Sequence, residues 1–229
     1  MINTYGRALL FLQNSAQARF KAYHEKTANT AKPVLGVSVP RVREIAKIVL
    51  KGDYLNYLKS CEFNYFEDIM LYGFVVASLS YGEFLKYLPI FLAKADSWAH
   101  IDSFVAAAKC IGKNKADFMQ KIKSSVLNSS GFTLRFYIVC LMNYYLDGEY
   151  LDYAFEVCQK CDGKGYYTDL AIAWLISVAF VKFKDKTFDF IKNCNLTNFT
   201  LNKSISKIND SFRVSRENKI LLQKFRRKD

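Results

Sequence analysis

Helix-like apolar segments recur along this 229-residue chain at a spacing of 33 to 35 residues. They begin at residues 64, 97, 131, 166 and 201, and a second amphipathic segment follows each of them. Residues 38 to 61 add one further pair, with Ser38 available as a helix cap and Pro40 in the first turn. One helix pair cannot bury its apolar faces, whereas stacked pairs can. The sequence therefore predicts an all-α protein, a curved α-solenoid of about six HEAT-like helix pairs with a concave basic face.

Composition supports this fold class and a single HEAT-like repeat domain over residues 1–229. Only three prolines and ten glycines are present, which disfavours short strands joined by tight turns. Tetratricopeptide units normally end in proline, and nearly every unit here lacks it. The longest apolar run, residues 170 to 181, is too short to span a membrane, and the N-terminus shows no signal-peptide cleavage site. We therefore expect a cytoplasmic monomer with no membrane partner and with reduced cysteines.

Positive charge is concentrated in three parts of the chain. The formal net charge is +12, and residues 32 to 51 and 103 to 125 each carry five bases and one acid. Residues 199 to 229 carry nine bases and three acids. Separate basic segments favour a polyanion partner such as double-stranded DNA if the fold brings them together. The alternative is a basic surface that is merely solvated.

The stretch SWAHIDSF places an indole and a carboxylate on one helix face. Trp98 and Asp102 are four residues apart, in a segment otherwise built from apolar residues such as Ile101 and Phe104. One explanation of the acid is a structural ion pair with a base such as Arg135, the only arginine between residues 44 and 212. The other explanation is chemistry.

These residues resemble the HEAT-repeat DNA alkylation-repair glycosylases, the AlkD-like family. The stretch LGVSVPRVRE, with Gly36, Pro40 and Arg43, is similar to the family's opening motif, and WAHID carries its Trp-x-x-x-Asp. The stretches LRFYI and AIAW supply the matching arginine and second indole, and the chain from residue 201 to 219 resembles the family's closing helices. The matching cleft residues in this sequence are Tyr23, Trp98, Asp102, Arg135, Tyr166, Tyr167 and Trp174.

The resemblance implies a glycosylase that hydrolyses the N-glycosidic bond of cationic N3- or N7-alkylpurines in duplex DNA. A cationic base leaves without a general acid, so one carboxylate suffices, and Asp102 would stabilise the oxocarbenium-like sugar. The two indoles, Trp98 and Trp174, would hold the cationic sugar and base, and Arg135 completes the catalytic set. No cofactor is implied. Phosphates flanking the lesion would be held by Arg43, by the KFRRK tail at residues 224 to 228, and by lysines of the basic segments, namely Lys113, Lys115, Lys203 and Lys207.

Two departures leave a second hypothesis open. The family's second-indole helix usually has a lysine before the indole and an Arg-Glu pair after it, whereas Leu170, Ser177 and Val178 stand here. Trp174 is then either a cleft residue or part of the core. The alternative function is a non-catalytic α-solenoid that binds nucleic acid or a protein partner. A metal site is not expected, because Cys158 and Cys161 form a lone C-x-x-C without a second pair.

Overall fold

The structure is a computed structural model that describes residues 2 to 228, so the two ends of the predicted domain, Met1 and Asp229, lie outside the described residues. Within them the chain forms fifteen α-helices and one short 3-10 helix, with no strand. None of these helices combines the length and the apolar character that crossing a bilayer requires. The helices are α1 (Tyr5–Gln13), α2 (Ala18–Thr27), α3 (Val39–Leu50), α4 (Tyr54–Ser60), α5 (Phe66–Ala77), α6 (Tyr81–Lys94), α7 (Trp98–Ala107), α8 (Lys109–Lys113), α9 (Lys115–Ser125), α10 (Gly131–Tyr144), α11 (Leu151–Cys161), α12 (Tyr166–Lys182), α13 (Lys184–Asn193), α14 (Asn198–Asn209) and α15 (Arg216–Gln223).

The helices group into two compact units, one ending at Asn114 and the other beginning at Lys115. In the first unit α5 lies between α3 and α7, and α1 packs against α3. Helix α4 packs against α3, and α6 packs against α5. Every residue of α5 is buried, so this helix is the core of the unit.

The second unit repeats this arrangement around α12. That helix packs against α10 and α14, while α11 packs against α10 and α13 packs against α12. Helix α15 packs against α14. In both units the first helices of successive pairs therefore lie next to one another. Those among them that also pack against the helix following them in the chain are α3, α5, α10, α12 and α14.

The predicted helix pairs correspond closely to the observed helices. The apolar segments predicted at residues 131 and 166 begin at those residues, and the segment predicted at 201 begins earlier, at Asn198. It begins there because the Thr197 hydroxyl accepts a hydrogen bond from Thr200 N at 3.3 Å and caps the helix. Ser38 occupies the cap position of α3, but its side chain makes no capping hydrogen bond. Helices α1, α2 and α8 were not predicted.

A buried carboxylate fixes the loop that leads into α3. The Glu67 side chain, at the start of α5, accepts hydrogen bonds from the backbone N–H groups of Leu35, Gly36 and Val37 at 2.9, 2.8 and 3.1 Å. Gly36 has φ +97°, and a Cβ there would lie 2.7 Å from the carbonyl oxygen of Gln17. The LGV stretch therefore needs a glycine and a buried acid together.

Replacing Glu67 with glutamine should lower the free energy of unfolding of the first unit by about 3 kcal/mol. Glutamine has one acceptor oxygen where glutamate has two, and its NH2 group is a donor. At least one of the three backbone N–H groups therefore loses its acceptor and faces another donor. Urea denaturation followed by Trp98 fluorescence, in a Trp174→Phe background, measures the change. Glu25→Gln, at an exposed position, should change stability by less than about 0.5 kcal/mol. Equal effects of the two substitutions would contradict the assigned role of Glu67.

Candidate nucleic-acid interface

Helix α7 presents Trp98 and Asp102 on the side that is not buried. The buried residues of this helix are His100, Ile101, Phe104 and Val105. Trp98 and Asp102 are both half-buried. The structure therefore places this indole and this carboxylate on one partly open helix face, at the i and i+4 positions that the sequence predicts.

The Trp98 indole is held in place by the end of α2. Its Nε1 donates to the carbonyl oxygen of Thr27 at 2.8 Å, and the Thr27 hydroxyl donates to the Tyr23 carbonyl oxygen at 2.8 Å. Tyr23 itself is exposed and lines a surface recess of about 440 Å³ together with Phe20 and Pro40. Tyr23 and Trp98 are thus linked through one turn of α2.

Helix α12 reaches the surface along one stripe only. Between residues 167 and 181 its residues are buried except at five positions, spaced three or four apart, which are Tyr167, Leu170, Trp174, Val178 and Val181. This spacing is one face of an α-helix. Trp174 is the middle member of the stripe and is half-buried, so it is not part of a sealed core.

Trp174 lines a recess whose lining also includes basic residues. The recess has a volume of about 260 Å³, and its other lining residues include Val178, Lys207, Ser211 and Arg213. Asp210 contributes one acid to the lining. A recess lined by a tryptophan, a lysine and an arginine combines residue types that suit both a ring and a phosphate.

A row of aromatic rings crosses the N-terminal ends of three neighbouring helices. The Tyr167 ring contacts those of Phe132 on α10 and Tyr166, with centroids 5.6 and 5.1 Å apart. The Tyr166 ring contacts that of Phe199 on α14 at 5.7 Å, and Lys203 Nζ lies 5.7 Å from the Phe199 centroid. Tyr166 is 58% exposed. The row therefore presents stackable rings and a cation at one edge of the second unit.

Arg135 supports this row from within the second unit. It is buried, at 5% exposure, and its Nη1 donates to the Tyr167 carbonyl oxygen at 2.6 Å. The guanidinium group therefore fixes the first turn of α12, where Tyr166 and Tyr167 stand.

The remaining predicted cations differ in how available they are. Arg43 is exposed and its guanidinium carbon lies 4.9 Å from the Phe74 ring centroid, and Lys113 is exposed. Lys115 Nζ instead lies 2.6 Å from Asp147 Oδ2 and 5.5 Å from the Tyr145 ring centroid. The Lys115 ammonium group thus has an anionic partner within its own unit.

The described residues contain no group of three or more His, Cys, Asp or Glu side chains that could hold a metal ion. All six cysteines are free thiols. Cys158 and Cys161 are both buried, and burial raises the pKa of each thiol. The C-x-x-C stretch lies in the packed end of α11 and is not a reactive pair.

Sequence reasoning missed Phe199 and Arg213. A signal for Phe199 was present, because an aromatic residue stands at the second position of three successive first helices, as Phe132, Tyr167 and Phe199. Nothing comparable marks Arg213, which reaches the recess from the loop after α14.

A scan of the chain against models of known protein families finds no match, and a search of curated proteins finds none either.

His100 lies on the buried side of α7, and its burial makes the stability of the first unit depend on pH. Its Nε2 lies 2.9 Å from the Phe66 carbonyl oxygen and its Nδ1 lies 3.4 Å from Asp96 Oδ1. Burial lowers the pKa of His100 to about 4, with a smaller opposing effect from the Phe66 carbonyl and Asp96. Burial also lowers the pKa of the neighbouring His24.

The first unit should lose stability as pH falls from about 6.5 towards 4. Over this range His100 is protonated in the unfolded chain but stays neutral where it is buried in the folded unit. Between pH 7.5 and pH 5 the loss from His100 is about 2 kcal/mol. His100→Gln, whose amide can donate to the Phe66 carbonyl, should lose correspondingly less over the same range. Urea denaturation at both pH values, followed by Trp98 fluorescence in the Trp174→Phe background, measures this. An identical loss in the variant would contradict the assignment.

Proposed function

We propose that this chain is a HEAT-like α-solenoid that binds duplex DNA and hydrolyses the N-glycosidic bond of N3- or N7-alkylated purines. The observation that carries the proposal is Trp174, a half-buried indole on the partly exposed stripe of α12 that shares a recess with Lys207 and Arg213. The lateral packing of first helices within each unit supports the repeat architecture.

The substrate class follows from what a single acid can do. An alkylated purine that carries a positive charge is already a good leaving group, so the paired carboxylates of ordinary glycoside hydrolysis are unnecessary. Asp102, half-buried beside Trp98 on α7, is the proposed catalytic carboxylate. Its charge would stabilise the oxocarbenium character that develops on the deoxyribose as the base departs, and it would orient the attacking water.

The size of this effect is large enough to matter for the rate. At about 4 Å and an effective dielectric constant of about 20, the attraction between two unit charges is roughly 4 kcal/mol. If that attraction is made only in the transition state, it is worth about a thousandfold in rate.

Asp102→Asn should reduce the rate of base release from duplex DNA containing N7-methylguanine or N3-methyladenine by about a thousandfold, because the amide keeps the shape and loses the charge. Single-turnover assays measure the rate, and filter binding measures the affinity for DNA, which should change by less than about threefold. The matched control is Asp152→Asn, whose side chain is 82% exposed on α11 and should leave the rate unaltered. Activity unaffected by Asp102→Asn would remove this acid from the mechanism.

Lys207→Ala and Arg213→Ala should each lower the slope of log affinity against log salt by about 1, because each removes one phosphate contact. The measurement is a titration with an unmodified duplex at several salt concentrations. Lys184→Ala is a suitable control, since Lys184 lies on α13 beside Asp185, 3.3 Å away. If Lys207→Ala and Arg213→Ala both leave the slope at the wild-type value, as Lys184→Ala should, the recess is not a phosphate site.

A second candidate function is a non-catalytic α-solenoid that binds nucleic acid or a protein partner. It is favoured by the α12 stripe, whose members near Trp174 are apolar and include Leu170 and Val178. Under this hypothesis no alkylated duplex releases a base. Salt-dependent DNA binding would then mark a nucleic-acid partner, and the absence of DNA binding would indicate a protein partner.

A further inference from the structure

The loop between α14 and α15 holds a phenylalanine entirely in solvent. Phe212 is 103% exposed, more than any other large apolar side chain of the described residues. A phenyl ring left in water forgoes the free energy that burial would give it. At this exposure the ring is not packed against the rest of the described chain, so it is available to a partner.

Phe212 lies in a turn whose flanking residues on both sides make hydrogen bonds. Ser211 N donates to the Ile208 carbonyl oxygen at 3.1 Å, and the Ser211 hydroxyl accepts from Arg213 N at 3.3 Å. Val214 is buried, and Ser215 caps α15 by accepting from Asn218 N at 3.4 Å. The ring therefore projects from a defined turn and not from a loose tail.

Both faces of the Phe212 ring are open, which separates it from Tyr166, the other exposed aromatic residue among the described residues of the second unit. The Tyr166 ring, by comparison, contacts those of Tyr167 and Phe199. A ring with two open faces can be placed between two stacked bases, as apolar wedges are when they enter a duplex.

The surroundings of Phe212 are those of a DNA contact. Its two chain neighbours, Ser211 and Arg213, both line the recess that contains Trp174 and Lys207. Arg213 and Arg216 are exposed, and Asp210 and Glu217 are the acids of the same stretch. Cations around an apolar wedge hold the phosphates on either side of the step that it opens.

We propose that Phe212 is a wedge that enters the base stack of duplex DNA where stacking is interrupted, next to the damaged nucleotide. The inference rests on the proposed function for DNA binding, but it assigns a residue that neither the sequence motifs nor the proposed chemistry uses. Phe212 is a positioning residue in this role, since it touches bases and not the bond that is cleaved.

The test compares the affinity of the full chain for two duplexes that differ at one position. One is intact, and the other carries a tetrahydrofuran abasic analogue that leaves a gap in the stack. Because a ring that fills the gap restores stacking on both sides, wild type should bind the gapped duplex at least about tenfold more tightly. Phe212→Ala should reduce this preference to within about twofold, and Phe212→Tyr should retain it.

Two controls separate a wedge from a structural role. Ile220→Ala removes another exposed apolar side chain, on α15, and should leave the preference for the gap unaltered. The thermal unfolding midpoint and the salt dependence of binding to intact duplex should be the same in Phe212→Ala as in wild type, because the ring makes no contact within the fold and no phosphate contact.

The outcomes distinguish this inference from the proposed function. A preference for the gap that survives Phe212→Ala, or that is absent from wild type, overturns the wedge and leaves the glycosylase proposal standing if alkylated bases are still released. Wild-type protein that binds neither duplex overturns the wedge and the proposed DNA binding together.

Discussion

The structure depends on the burial of central helices that lack a polar face. Every residue of α5 is buried, and α12 is buried apart from one narrow stripe. An amphipathic helix needs one neighbour, whereas a helix that is apolar all round must be covered on several sides. Helix α5 obtains this cover from α3, α6 and α7, and α12 obtains it from α10, α13 and α14. The pairing of helices and the sequence period both follow from this need.

Because α5 is completely buried, its two acids, Glu67 and Asp68, lie in the core, and each accepts hydrogen bonds from a different segment of the chain. Glu67 holds the three N–H groups of the LGV loop. Asp68 accepts from the Tyr5 hydroxyl at 2.8 Å and from Tyr65 N at 2.9 Å, and burial raises its pKa. Both acids stand in the first turn of the helix, where the dipole favours negative charge. Polar contacts thus attach α1 and the start of α3 to an apolar core.

Helix class and spacing could be predicted from the sequence because they follow from apolar periodicity, which is local. The pairing of Glu67 with residues 35 to 37 could not, because it joins segments about 30 residues apart and leaves no pattern in either. Helix α8 was missed because it is a single short helix after the break at Ala108, too short to show a period. Trp98 and Asp102 were placed correctly on one face because four residues make about one helical turn. The exposure of Trp174 could not be predicted, since a nearly uniform apolar helix gives no indication of which face is open.

Residues on the partly exposed stripe of α12 can be replaced with less effect on the fold than the buried residues between them. Residues between the stripe positions are fixed by packing on α10, α13 and α14, whereas stripe residues are constrained on one side only. Leu170 and Val178 are members of the stripe, so the identity of the side chain at these two positions has little effect on the packing of the core. Lys207 and Arg213, which lie outside α12, line the recess together with Trp174. A phosphate requires cations within reach and not on a particular helix, so the proposed phosphate site does not need a charged residue on α12.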